Sequence, residues 1–191
     1  MSTSAYDPTV LPEGLPVPVD DGACDHLAGL ALPALALAST TGGRLRLTDA
    51  LGDLGAVYFY PRTGRPGRPP PLGWDETPGA RGCTPQSCGF RDHAGELRPL
   101  GARVVGVSAQ SPEDQAEFAD RSGLTYPLLS DVELELASAL GLPTFTFDGV
   151  TLYKRVTLVA EEGVIVKVFY PVFPPDRNAA EVAAWLAARL H

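Results

Sequence analysis

The chain has 191 residues, 45% of them apolar, and a formal net charge of −8 from 23 acidic residues against 15 Lys and Arg. That length suits one domain with its own core and no need of staples. The acid excess argues against nucleic acid as a partner, and the lack of an apolar run of about 18 residues argues against a membrane span.

Taken in order, residues 1–25 carry Pro8, Pro12, Pro16 and Pro18 among acids and small residues, and read as a Pro-rich arm or tail ahead of a domain over 26–191. Its start lacks the basic and apolar stretches of a secretory signal. With only three cysteines in the chain, this sets a cytoplasmic expectation. Cys24 and His26 at its end read as incidental. A short strand is expected from Leu32 to Leu37, a turn at Thr41-Gly42-Gly43, and a returning strand over Arg44-Leu45-Arg46-Leu47. Thr48 or Asp49 then caps a short helix through Leu54. Ala56-Val57-Tyr58-Phe59-Tyr60, ended by Pro61, reads as a buried central strand.

Residues 62–82 follow as an unusually long Pro/Gly loop with Trp74 as its candidate anchor. A helix is expected from Cys83 to Ala94 or Leu97, then a strand over Val104–Ser108. Ser111-Pro112-Glu113-Asp114 is a strong helix start. Tyr126–Leu129 is extended, and Asp131 caps a helix to Leu140. Two strands, Tyr153–Val159 and Val164–Tyr170, flank a turn at Glu161-Glu162-Gly163. Ala179–Leu190 closes the chain as an amphipathic helix. This order gives an α/β sandwich with a mixed sheet.

Two cysteines stand five residues apart in Gly82-Cys83-Thr84-Pro85-Gln86-Ser87-Cys88-Gly89-Phe90-Arg91-Asp92. A thiol at a helix N-terminus faces unpaired N–H groups and the positive end of the dipole, which favour the nucleophilic thiolate. A second cysteine a turn and a half later is placed to capture the first once it is oxidised, so the stretch reads as a thiol peroxidase. Two blander readings stand beside it: Cys88 as a small buried residue, and a metal site on Cys83, Cys88 and His93, which lacks close spacing and a fourth ligand. Neither a nucleotide loop nor a Cys-x-x-Cys is present, and no cofactor or metal is expected.

Several segments resemble, in order, the bacterioferritin-comigratory (Q-type) peroxiredoxins. They are Ala56–Pro61, Thr77-Pro78-Gly79 with Gly82-Cys83-Thr84, Cys88–Asp92, Val105–Ser108, Tyr126–Asp131 and Lys154–Leu158 ahead of Glu162–Ile165. The resemblance covers about residues 30–190. It implies a thioredoxin-like α/β/α sandwich with a mixed central sheet. It also implies reduction of hydrogen peroxide and organic hydroperoxides by a Cys83 sulfenic acid, a Cys83–Cys88 intramolecular disulfide, and recycling by thioredoxin or a similar dithiol. Arg155 matches the family's active-site arginine, and the protein is expected as a monomer or dimer. One departure stands out. The family carries Thr or Ser three residues before the reactive cysteine, where this chain has Ala80. Thr63 and Thr77 are the candidate replacements, with Thr63 preferred because it follows Pro61 before the insertion. That departure keeps open an alternative, a peroxide sensor that passes its oxidation to a partner with little turnover. An ideal helix holds residues five apart at about 8 to 9 Å between Cα atoms, whereas a disulfide needs roughly 4.4 to 6.8 Å. The helix must therefore open locally to form the bond.

Overall fold

The computed structural model describes residues 6–189. The expectations for the first five residues and for Leu190 lie outside them. Its strands are β1 (Ala36–Ser39), β2 (Arg44–Arg46), β3 (Leu54–Phe59), β4 (Arg103–Ser108), β5 (Leu128–Ser130), β6 (Thr144–Phe147), β7 (Val150–Tyr153), β8 (Val156–Glu161) and β9 (Val164–Phe169). The helices are α1 (Leu47–Leu51), α2 (Cys83–Asp92), α3 (Ala94–Leu97), α4 (Pro112–Ser122), α5 (Glu135–Leu140) and α6 (Asn178–Arg189).

Seven strands form one sheet in the order β2-β1-β5-β4-β3-β8-β9. β3 runs parallel to β4 and antiparallel to β8, so the sheet is mixed. The alternation along β3 explains the layers. Ala56 and Tyr58, with Tyr60 just beyond the strand, pack among Phe90 of α2, Phe118 of α4, and Val182 and Leu186 of α6. Val57 and Phe59 point the other way, among Leu47 and Leu51 of α1 and Leu136 and Leu140 of α5. A strand apolar on both faces has to sit between two helical layers.

Local chemistry sets the boundaries. The Ser111 hydroxyl accepts from Asp114 N at 3.1 Å and starts α4. The Asp131 carboxylate accepts from Glu135 N at 2.8 Å and Leu136 N at 3.0 Å, so it caps α5 across an intervening turn. Three expectations shift. The strand expected from Leu32 starts at Ala36; Leu32 is instead held by Gly163 O beside a lone bridge between Ala31 and Val164. The short helix begins at Leu47 and ends at Leu51, with no side-chain cap. The strand expected over Tyr153–Val159 is divided, because Tyr153 ends the β6–β7 hairpin and β8 begins at Val156. That hairpin turns at Asp148-Gly149, both with positive φ, and forms a separate two-stranded sheet.

The loop over 62–82 is tied down by that hairpin. Trp74 is buried against Phe145 and Phe147, Ala80 and Leu152 complete the cluster, and the Arg62 guanidinium lies 4.4 Å over the indole. Trp74 is thus the loop's anchor. Residues 6–25 hold no helix or strand, and they lie along the domain rather than away from it. Cys24 and Leu27 belong to the core beneath the sheet. No helix among the described residues is long and apolar enough to cross a membrane.

Candidate active site

Helix α2 begins at Cys83 because Gly82 turns the chain at φ +110°, a region that side chains avoid. A Cβ on Gly82 would also lie 2.3 Å from Pro175 Cγ. Gly82 brings no capping side chain, and Pro85 has no N–H to cap. The first turn therefore presents its donors to whatever lies beside the sulfur. Cys83 is only 3% exposed, and its Sγ lies 3.8 Å from Ala80 O. The neighbouring Thr84 hydroxyl is buried without a partner among the described residues.

Arg155 lies in the two-residue break between β7 and β8, rather than within a strand, and is 3% exposed. Its Nη2 lies 3.4 Å from Cys83 Sγ, and its two N–H groups are shared with Gly79 O at 3.2 Å, Ala80 O at 3.3 Å and Arg81 O at 3.1 Å. One guanidinium thus holds the loop ahead of the cysteine and touches the sulfur. Its Nη1 donates to Gln86 Oε1, one helical turn beyond Cys83. Gln86 Nε2 donates in turn to Asn178 Oδ1 at 3.0 Å, and the Thr157 hydroxyl donates to the same oxygen at 2.7 Å. This chain of amides fixes the fork of Arg155 in one orientation, while its Nε is buried and without a partner among the described residues.

The two candidate threonines separate. The Thr63 amide and hydroxyl donate to Gln110 Oε1 at 3.0 and 3.3 Å, and Thr63 lines a cavity with Arg62, Arg65 and Trp74 that includes neither Cys83 nor Arg155. Thr77 lines a cavity of about 240 Å³ together with Gly79 and Arg155. Its hydroxyl donates to Gly73 O at 2.7 Å, leaving its oxygen free to accept. The Thr77 cavity includes Arg155 and the Thr63 cavity does not, while Cys83 lines neither. Thr77 shares its cavity with Gly79, which leads into the turn before Cys83, and Thr63 lies at the start of the loop. Ala80 is fully buried in the Trp74 cluster, where a hydroxyl would have an apolar surrounding.

Cys88 lies on the same helix and is half-buried. Burial pushes its thiol pKa up, against an opposing pull from Arg91. All three cysteines are free. The segment between the reactive pair is pinned from below. The Tyr58 hydroxyl donates to Ser87 Oγ at 2.8 Å, the Tyr126 hydroxyl donates to Ser87 O at 2.7 Å, and Phe90 stacks on Tyr58 with centroids 4.8 Å apart. His93 folds onto its own helix, with Nδ1 2.8 Å from Gly89 O, and no group of three metal-capable residues occurs among the described residues.

Several site residues escaped the sequence. Gln86 stands one turn after Cys83, a spacing that signals a shared helix face. Asn178 and Thr157 arrive from distant segments and carry no local signal. Arg81, in the insertion, is 9% exposed and donates to Asp75 at 3.1 Å and to Val10 O at 3.1 Å.

Residues 76–168 match the AhpC/TSA family model. Peroxiredoxin Bcp of Escherichia coli K12 is 32% identical over 165 residues, covering 83% of this chain and 94% of that protein. Chloroplastic peroxiredoxin Q of Populus jackii is 34% identical over 154 residues, covering 80% of this chain and 64% of that protein. A Mycobacterium tuberculosis relative is 39% identical over 109 residues, and the chain spans 60% of its length. Among solved structures, peroxidoxin BcpB of M. tuberculosis aligns with a TM-score of 0.68 at 30% identity, over 85% of this chain and 98% of that one. The bacterioferritin comigratory protein of Xanthomonas campestris, described for its alkyl peroxide reduction, aligns with a TM-score of 0.67 at 27% identity, over 86% and 99%. The three-layer sandwich is accordingly the thioredoxin-like peroxiredoxin fold. With its mixed sheet, its paired cysteines on one helix and a relative matched over nearly its whole length, the chain belongs to the peroxiredoxins, in their Bcp/Q-type branch.

Proposed function

We propose that this chain reduces hydroperoxides with Cys83 as the attacking thiolate and Cys88 as the resolving thiol. The observation that carries this reading is Arg155 Nη2 at 3.4 Å from a sulfur that opens a helix. The Cys83 thiolate attacks one peroxide oxygen, the S–O bond forms and the O–O bond breaks. Sulfur loses two electrons, and the departing oxygen takes a proton to leave as water or an alcohol. Negative charge moves from sulfur onto that oxygen, so donors fixed around it favour the transition state. Arg155 and the first-turn N–H groups supply such donors, and the Thr77 oxygen, its proton given to Gly73 O, can accept from the peroxide. Cys88 then attacks Cys83 Sγ, forming S–S and breaking S–O, and the hydroxide leaves as water after taking a proton. A dithiol such as thioredoxin returns both thiols by exchange. Both cysteines lie on one helix, so the cycle runs within one subunit whether the protein is a monomer or a dimer. A dithiol-driven cycle suits a reducing compartment such as the cytoplasm.

The test is peroxide-dependent oxidation of a thioredoxin system by wild type, Cys83→Ser and Cys88→Ser. Loss of the first oxidation in Cys83→Ser alone, with turnover lost in Cys88→Ser, is the expected result. Wild type that oxidises once and stalls would favour a sensor over an enzyme.

A further inference from the structure

The segment from Tyr6 to Asp21 is fastened at both ends across the site. At one end, the Arg81 guanidinium lies 4.8 Å over the Tyr6 ring and its Nη2 donates to Val10 O. At the other, the Asp21 carboxylate accepts from Lys154 Nζ at 2.9 Å and from the Tyr170 hydroxyl at 2.8 Å. Between the clamps the arm lies against the cysteine turn. Pro18 sits 3.7 Å from where a Cβ on Gly79 would be, and Leu11 3.0 Å from one on Gly82. Pro18 and Val19 form one wall of the 240 Å³ cavity that contains Thr77 and Arg155, though not Cys83 itself; Pro78, Phe145, Pro171 and Val172 add to its apolar lining. Leu15 and Pro16 close the adjoining narrow cleft against Arg81 and Arg155.

Two further observations describe what such a cavity would hold. Val19 keeps 80% of its surface exposed at the rim, an apolar side chain without cover. The charge of Lys154 is answered by Asp21, and Arg155 is turned toward the loop carbonyls and the sulfur. The remaining wall therefore offers apolar contact and no free charge. Trp74, the large aromatic of the insertion, is buried elsewhere and takes no part.

We propose that the N-terminal arm is a specificity element of this site, with Pro18 and Val19 forming the wall that receives the uncharged organic part of a bulky hydroperoxide. This rests on the peroxidase reading above. Hydrogen peroxide has no such part and gains nothing from the wall, whereas an aryl or branched alkyl group covers Val19 and Pro18 while its O–O end is directed to the Arg155 side, where the guanidinium touches Cys83 Sγ.

The experiment compares kcat/KM for cumene hydroperoxide and hydrogen peroxide in wild type, in a Pro18→Gly/Val19→Ser double variant, and in a chain lacking residues 1–19. A drop of about tenfold for cumene hydroperoxide is expected in both altered proteins, the scale of a lost apolar contact in a pocket. Hydrogen peroxide should stay within about twofold in the double variant, whose substitutions touch no catalytic group. The double variant decides the matter if the shortened chain folds poorly. Equal losses for both peroxides, or no change in either, would overturn the role of the arm while leaving the peroxidase reading intact. Wild type that consumes neither peroxide would overturn both.

Discussion

Cys83 and Cys88 share one helix and have opposite surroundings. Cys83 is nearly sealed in an apolar cluster, with a guanidinium and the open first turn of α2 beside its sulfur. Cys88 is half-open, and the main effect on it is burial, which disfavours its thiolate. In the cycle proposed above, the thiol beside Arg155 is the one that attacks, and burial disfavours the thiolate of Cys88 a turn and a half later, so that the two would not compete for the peroxide.

The sharpest way to break this contrast is to remove the donor. Arg155→Gln should lower the rate of the first oxidation by about a hundredfold, as measured by stopped-flow peroxide consumption. Arg155→Lys should recover only part of it, because a single ammonium does not reproduce the fork that spans sulfur and loop carbonyls. Full recovery by lysine would reduce the role of Arg155 to charge alone.

The next effect lies on the Cys88 side. Its raised pKa leaves a small thiolate fraction at neutral pH, and that fraction grows as pH rises toward the pKa. The rate of disulfide formation should therefore climb, by about tenfold per pH unit at most, between neutral and mildly alkaline pH. A flat profile would show that helix opening, and not thiol ionisation, limits the step. Comparable in size is the threonine pair. Thr77→Val should cost about tenfold in the first oxidation and Thr63→Val almost nothing. The reverse result would return the peroxide-binding hydroxyl to Thr63 despite its separate cavity.

The smallest effect sharpens the comparison from beneath. Tyr126→Phe removes the hydroxyl that holds Ser87 O, the residue just before Cys88. One lost hydrogen bond is worth about 1 kcal/mol, so local opening should be about fivefold easier. Faster amide exchange over residues 84–90 and a faster disulfide step in that variant are the expected readouts. Unchanged exchange would mean that stacking of Phe90 on Tyr58, rather than the hydroxyl network, holds the helix closed.

Much of this was legible in the chain. The continuous apolar run over 56–60, the Ser111-Pro112 start and the Gly82-Cys83 turn are local signals, because strand burial, helix capping and turn geometry act over a few residues. The Asp148-Gly149 hairpin was equally local, flanked by the Thr-Phe alternation, and went unread beside the apolar run that follows it. The cysteine pair and Arg155 were legible from their motifs, although the break that places Arg155 between two strands was not.

By itself, the sequence determined most of the secondary elements, the sandwich class and the candidate cysteine pair, since each rests on short-range periodicity or on the chemistry of one side chain. Tertiary structure alone decided which threonine shares a cavity with Arg155, what fixes Arg155, and where residues 6–25 lie. Gln86, Asn178 and Thr157 come together from three distant segments, and Asp21 reaches Lys154 across 133 positions of chain. Such pairings depend on how the layers pack, which no local pattern encodes. An arm that reads as a Pro-rich tail becomes a wall of the active site only once Arg81 and Lys154 are in place to hold it.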